Sequence, residues 1–194
     1  MSQKKTVLVN LSNRHMHLSR ADVEALFGPG YQLCKTKDLM QPGQFACEEG
    51  VSVVGPKGRF DNVRILGPER PETQVEIMAS DAFKLGIKDV PCRESGKIDG
   101  TPGFTLEGPY GKVVKDKGLI VAMRHVHLDP ATAASLGLAD KQLVKLRVGD
   151  ERAATFEKVL LRVSDKFAAE AHLDFDEGNA VGIGNGAEGE IIVD

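Results

Sequence analysis

The chemistry this chain can offer is concentrated in its histidines. There are five in the sequence, and four of them form His15-x-His17 and His125-x-His127. On a strand, residues i and i+2 point to the same face, so each pair presents two imidazoles to one point in space. A first-row metal bound by nitrogens about 2 Å away needs that arrangement. A single His-x-His is as readily a surface strand or a hydrogen-bonded pair. Two copies in one Arg-His-x-His-Leu frame, at Arg14–Leu18 and Arg124–Leu128, make a metal role the better reading.

A third ligand for each set follows from an internal duplication. SNRHMHLSRADVEALFG is echoed by AMRHVHLDPATAASLGL, and TQVEIMASDAFKLGI more weakly by AEAHLDFDEGNAVGI. The second register sets Glu76 opposite His172, the fifth histidine, and Gly86-Ile87 opposite Gly182-Ile183. A carboxylate between Val75 and Ile77 is, by pattern alone, as readily solvent-facing. Its register with His172 tips the balance. The expectation is one ion at His15, His17 and Glu76, and another at His125, His127 and His172. Three protein ligands and an open position mark a catalytic rather than a structural zinc.

Arg70, in LGPERPETQVE, lies six residues before Glu76. A guanidinium beside a metal site is shaped to hold phosphate bidentately. Arg14 and Arg124 precede each His-x-His pair, point to the opposite strand face, and are expected in structural pairings. A basic set of Lys35, Lys37, Lys57, Arg59 and Arg64 offers a handle for a phosphorylated group, though scattered lysines are usually solvated. No segment matches GxxxxGK[ST] or GxGxxG, so a Walker or dinucleotide site is not indicated.

These side chains need a scaffold, and the sequence points to a β one. Glycine and proline arrive in turn clusters such as Gly28-Pro29-Gly30, Gly55-Pro56-Lys57-Gly58 and Gly108-Pro109-Tyr110-Gly111. Between them lie short apolar runs: TVLVNL, VSVVG, NVRIL, TQVEIM, GLIVAM, QLVKLRV, KVLLRVS and EIIVD. That spacing predicts barrels or sandwiches. Two helices are expected, Arg20 to Phe27 and Pro130 to Leu136, with Ser19 and Asp129 as N-caps. The duplication predicts two related β-domains with a pseudo-symmetric metal site between them. The halves divide near residues 1–97 and 98–194, with strands shared across that boundary.

Composition narrows the function classes. A chain of 194 residues is long enough for one or two small cores, and a net charge of -3 argues against wholesale affinity for nucleic acid or anionic membrane. Trp is absent and Tyr occurs twice, so base-stacking platforms are not expected. Cys34, Cys47 and Cys92 show no CxxC spacing, which fits a reducing compartment rather than a disulfide framework. No apolar run is long enough to span a bilayer.

Several co-ordered segments (SNRHMHLS, QPGQFACEE, GPKG, VRILGPERPETQVEI, MRHVHLDP and HLDFDEGNA) together resemble the PduL-type phosphate acyltransferases, across nearly the whole chain. That resemblance implies two β-barrel domains capped by short α-helices and two Zn2+ ions per chain. It implies the reaction of a short-chain acyl-CoA with phosphate to give acyl phosphate and coenzyme A. Position by position, His15, His17 and Glu76 match one zinc site, His125, His127 and His172 the other, and Arg70 the phosphate-binding arginine. Ser12, Lys37, Arg64, Leu66 and Asn179 match CoA-contacting positions, with Lys57 competing for the role of Lys37. Arg70 and the second metal are then expected to hold phosphate for direct attack on the thioester, with no cysteine nucleophile. Members destined for bacterial microcompartments carry an N-terminal amphipathic segment. Only a few residues precede TVLVNLSNRH here, so a cytoplasmic enzyme is expected, compatible with a homodimer and paired with an acyl kinase.

Two other metal-binding architectures begin with His-x-His. An amidohydrolase barrel needs typically ~250 residues and alternating helices. A double cupin, as an oxygenase or a non-enzymatic zinc protein, places a Glu a few residues after His-x-His, where this chain has Ser19-Arg20-Ala21-Asp22.

Overall fold

The fold is taken from a computed structural model that describes residues 5–193. The residues ahead of Lys5, which bear on the expectation about the N-terminus, lie outside the described ones. In chain order the elements begin with β1 (Lys5–Ser12), β2 (His15–His17), α1 (Arg20–Phe27), β3 (Lys35–Asp38), β4 (Phe45–Val54) and β5 (Arg59–Gly67). Next come β6 (Gln74–Ile77), α2 (Ala79–Leu85), β7 (Cys92–Arg93), β8 (Phe104–Glu107), β9 (Lys112–Lys115) and β10 (Leu119–Ala122). The last are β11 (His125–Leu128), α3 (Pro130–Ser135), β12 (Leu143–Val148), β13 (Ala154–Val163), β14 (Glu170–Asp174), α4 (Phe175–Val181) and β15 (Ala187–Ile192). The protein is mainly β, as the alternating apolar runs predict.

These elements form two compact units. One comprises the chain up to Ser12, Met40–Pro42 and Met123 onward. Its strands close a barrel in the order β1-β14-β11-β13-β12-β15. Val9, Val126, Leu146, Leu161 and Leu173 fill it. The alternation in β1 shows why: Val7 and Val9 point inward, while Leu8 between them is 45% exposed. The other unit comprises Asn13–Leu39 and Gly43–Ala122. It is a curled half-barrel sheet of nine strands, ordered β7-β10-β6-β2-β5-β4-β8-β9 with β3 on the side of β4. Met16, Leu18, Ile65, Leu106 and Leu119 are fully buried in its core. Each unit draws strands from both sequence halves: β1 joins the closed barrel, and β8 to β10 join the half-barrel sheet.

Within each unit the His-x-His strand has the same neighbours. β2 lies between β5, parallel, and β6, antiparallel. β11 lies between β13, parallel, and β14, antiparallel. The duplication is therefore a duplication of a three-strand arrangement.

Both expected helices form with their expected caps. The Ser19 hydroxyl accepts from the Asp22 N–H at 3.2 Å, and Asp129 accepts from the Thr132 N–H at 3.0 Å. The structure adds two more, α2 and α4, each only seven residues long. Sequence pattern misses them for a physical reason: α4 contains Gly178 and Asn179, both poor helix formers, and Met78 ahead of α2 has no side-chain oxygen to cap with. They are held from their ends instead. Asp81 accepts from the Met78 N–H at 3.2 Å, and Glu177 from the Asp174 N–H at 3.0 Å. Gly86 (φ 73°) and Gly182 (φ 69°) turn left-handed to stop them. Those are the two glycines that the weaker echo had aligned.

Candidate metal centres

Strand register brings the ligand sets together. His15 faces Glu76 directly across β2 and β6, and His125 faces His172 directly across β11 and β14. Since i and i+2 share a strand face, His17 and His127 join the same cluster. In each set, one nitrogen or oxygen per residue can be chosen so that all lie within 4.8 Å of one another.

In the first set, His15 Nδ1 lies 2.8 Å from the Asn13 carbonyl and His17 Nδ1 lies 3.1 Å from the Leu66 carbonyl. A carbonyl only accepts, so each Nδ1 carries the proton and each Nε2 keeps its lone pair. His15 Nε2 is 3.5 Å from Glu76 Oε2. Burial, the neighbouring His15 and the Arg70 charge depress His17 to about 3, so its ring is neutral at neutral pH. Burial pushes the Glu76 carboxyl up, yet the neighbouring His15, a hydrogen bond from Ser95 and the Arg70 charge outweigh it and hold the group ionised. Two imidazoles and one carboxylate are a donor set that a zinc-like ion accepts.

The second set repeats part of this logic. His125 Nδ1 lies 2.9 Å from the Met123 carbonyl, which again frees Nε2. His127 stacks on Phe167 at 4.2 Å between centroids, and neither of its buried ring nitrogens has a hydrogen-bond partner. Leaving such a group unsatisfied costs about 1–3 kcal/mol, and a metal ion is the natural partner for it. Burial, then His125 and His172, lower its pKa to about 2, so this ring too is neutral. The residues present fit a divalent ion at both sets.

A second layer of duplicated contacts fixes the strands that carry the candidate ligands. Arg14 forks onto Asp81, with Nε to Oδ2 at 2.9 Å and Nη2 to Oδ1 at 2.8 Å, and its guanidinium lies over Phe60 at 4.3 Å. Arg124 Nε meets Glu177 Oε1 at 2.7 Å and lies over Phe156 at 5.0 Å. Each arginine thus ties the His-x-His strand to the helix that follows the third ligand. The structural pairing expected for both is what the structure shows.

Arg70 sits in the loop between β5 and β6, and its backbone N–H donates to the Leu18 carbonyl at 2.9 Å, one residue past His17. Its Nη1 donates to Ser95 Oγ at 3.1 Å, and Ser95 Oγ donates to Glu76 Oε1 at 2.7 Å. Arg70 therefore belongs to the His15, His17 and Glu76 set. Arg64 is the β5 neighbour of His15 and is exposed, while Leu66 supplies the carbonyl that orients His17. Lys37 is exposed on β3. Ser12 ends β1 opposite Asp174, and Asn179 is exposed on α4.

Sequence reasoning missed several buried polar residues. Gln74 Nε2 donates to Glu76 Oε1 at 2.6 Å and to Ser95 Oγ at 2.9 Å. Glu170 is 3% exposed and faces His127 across the strands. Its Oε1 accepts from Asn10 Nδ2 at 2.7 Å, its Oε2 from Gln41 Nε2 at 2.6 Å, and Oε2 lies 3.1 Å from His172 Nε2. Burial would raise this carboxyl, but His172, Gln41 and Asn10 outweigh it and hold it near 2. The signal was present. The echo that pairs Glu76 with His172 also pairs Gln74 with Glu170.

Comparison with known proteins is consistent with this geometry. A family model described as "Phosphate propanoyltransferase" matches residues 8–184. A phosphate propanoyltransferase of Thermotoga maritima is 52% identical over 182 residues, covering 93% of this chain and 86% of the relative. One from Enterococcus faecalis is 50% identical over 190 residues, covering 98% and 90%. One from Rhodopseudomonas palustris is 51% identical over 179 residues, covering 92% and 79%.

Proposed function

This chain belongs to the phosphate propanoyltransferase family and is an acyltransferase, and from that premise we propose how its two ligand sets serve the reaction. The reaction proposed is a short-chain acyl-CoA, propanoyl or acetyl, plus phosphate, giving acyl phosphate plus coenzyme A. A phosphate oxygen attacks the thioester carbonyl carbon, the C–S bond breaks, coenzyme A leaves as thiolate, and the phosphate proton is released. The observation that carries this reading is the repeated register, with a histidine directly across from a third ligand in both units. The unpartnered nitrogens of His127 give it weight.

His15, His17 and Glu76 would hold one zinc ion and His125, His127 and His172 the other. Such an ion, when bound, supplies a Lewis acid for a thiolate, a thioester oxygen or a phosphate oxygen. The remaining work falls to the chain. Arg70 binds phosphate as a charged fork and neutralises part of its charge, which raises the local concentration of the attacking oxygen. Ser95 holds Arg70 and Glu76 in fixed relation, so the anion site needs little reorganisation as charge develops. Ser12, Lys37, Arg64, Leu66 and Asn179 are proposed to contact coenzyme A.

A covalent acyl intermediate on Cys34 or Cys47 finds no support. Glu49, beside Cys34, raises that thiol, and burial pushes Cys47 to about 11, so neither is a ready thiolate at neutral pH. Three free cysteines favour the cytoplasm as the proposed compartment. Among the described residues no helix is long and apolar enough to cross a membrane. An acyl phosphate is a phosphoryl donor, so an acyl kinase is the proposed consumer of the product.

The test combines metal analysis with thiol release. Protein purified without chelator should hold one zinc per ligand set and release thiol from acetyl- or propanoyl-CoA only when phosphate is present. Full activity in metal-free protein would overturn the metal reading, and phosphate-independent release would overturn the reaction.

A further inference from the structure

The two ligand sets differ where the duplication should make them alike. At the third-ligand position the half-barrel unit has a carboxylate, Glu76, and the closed barrel an imidazole, His172. Two residues earlier the difference is reversed: Gln74 is neutral and Glu170 is a carboxylate. Both earlier residues are buried on the ligand-bearing strand face, Gln74 at 2% and Glu170 at 3% exposure. Both touch the third ligand, Gln74 Nε2 on Glu76 Oε1 at 2.6 Å and Glu170 Oε2 beside His172 Nε2 at 3.1 Å.

We propose that Glu170 is a positioning residue of the three-histidine centre, supplying from outside the ligand set the buried negative charge that Glu76 supplies from within the other. This rests on reading His125, His127 and His172 as a metal centre. Burying a lone carboxylate costs several kcal/mol unless opposite charge or hydrogen bonds offset it. Asn10 and Gln41 donate one hydrogen bond each, and both donors are neutral. His172 Nε2 lies 3.1 Å from Oε2, within reach of the N–H that a metal-bound imidazole keeps on its other nitrogen. A dication held by the three histidines is the positive charge that this pair of neutral donors does not provide. In return the carboxylate orients His172 and lowers the cost of placing a dication among three histidine rings, the part that outer-shell carboxylates play at histidine metal sites.

The competing account is a structural one. Gln41 also donates to the Ala168 carbonyl at 3.1 Å, so Glu170 could serve only to fasten Met40–Pro42 to β14. A fastener affects folding stability; a counter-charge affects metal affinity. Cobalt separates them, because its visible bands report ligand geometry directly. Metal-free parent protein is titrated with Co2+ and should show one tight equivalent per ligand set. Glu170→Gln should keep one equivalent at parental affinity and weaken the other by roughly 10–100-fold, the usual effect of losing such a partner, with altered bands for that equivalent.

Glu170→Asp should recover part of the affinity by restoring the charge. Two equivalents at parental affinity and with parental bands in Glu170→Gln would overturn the inference, whatever its melting temperature. If Glu170→Gln does not fold, Gln41→Met removes one donor and leaves the carboxylate. It should tighten the same equivalent and leave the other at parental affinity, because a carboxylate with one donor fewer depends more on the ion, and no change there would also overturn the proposal. A parent that takes up no cobalt would overturn the metal reading first, a result distinct from the loss of Glu170's role alone.

Discussion

One hydroxyl, that of Ser95, joins Arg70 to Glu76, and this decides what Arg70 can do. It donates to Glu76 and accepts from Arg70, so it holds the guanidinium beside the carboxylate. Arg70→Ala should mainly raise the phosphate requirement. Charge-assisted hydrogen bonds are worth about 1.5–3 kcal/mol, which is roughly a 10–100-fold rise in the phosphate KM. Arg70→Lys keeps the charge and loses the fork, so it should fall between. Steady-state rates across a phosphate series check this, and an unchanged phosphate KM in Arg70→Ala would remove Arg70 from the anion site. The cysteines belong to the same scale. With Cys34 and Cys47 both poor thiolates, a Cys34→Ser, Cys47→Ser, Cys92→Ser triple variant should keep most of its rate. A loss of orders of magnitude in a folded, metal-loaded triple variant would replace direct attack with a covalent route.

At the scale of the element, the proposed ligands are held by two arginine clamps rather than by their strands alone. β2 is three residues long and cannot set its own angle. Arg14 fixes it by forking onto Asp81, whose side chain is 5% exposed. Arg14→Ala should therefore destabilise the protein by about 1.5–3 kcal/mol, since it leaves a buried carboxylate without its charged partner. Adding Asp81→Ala should recover part of that loss. Denaturant unfolding of the two single variants and the double variant measures the coupling, and strictly additive losses would mean that the fork is only an exposed contact. The sequence made much of this scale legible. Both His-x-His strands, α1 and α3 with their caps, and the alignment of Glu76 with His172 can be read from period and repeat. The helices α2 and α4 cannot, because end contacts hold them rather than an apolar stripe. Glu170 was hidden for another reason. An acid alternating with Ala171 reads as a solvent-facing strand residue, and only the donors Asn10 and Gln41, distant in sequence, reveal it as buried. The duplication register carried the missing clue in the Gln74 and Glu170 pair.

For the whole molecule, the consequence is that the two ligand sets belong to different compact units with different cores, so they should fail separately. Glu76→Ala removes one candidate ligand from the half-barrel unit and none from the closed barrel. It should lose one metal and keep the other, and His172→Ala should do the converse. A bound ion stabilises its unit by mass action, about 2.7 kcal/mol when free metal exceeds its dissociation constant a hundredfold. Chelator should accordingly lower the melting temperature of the parent more than that of either variant. Glu76→His asks the sharper question. It offers a third nitrogen, as in the other set, so metal should still bind. It also deletes the negative charge that Arg70 and Ser95 are arranged around, leaving a guanidinium and a dication in one buried place with no carboxylate between them. Phosphate should then bind more tightly in the ground state without a matching gain in the transition state, so kcat should fall while the phosphate KM falls with it. Metal stoichiometry measured beside kcat and KM resolves the outcomes. Parental kcat in Glu76→His would mean that the difference between the two sets has no part in turnover, and two metals retained in Glu76→Ala would mean that Glu76 is not a ligand.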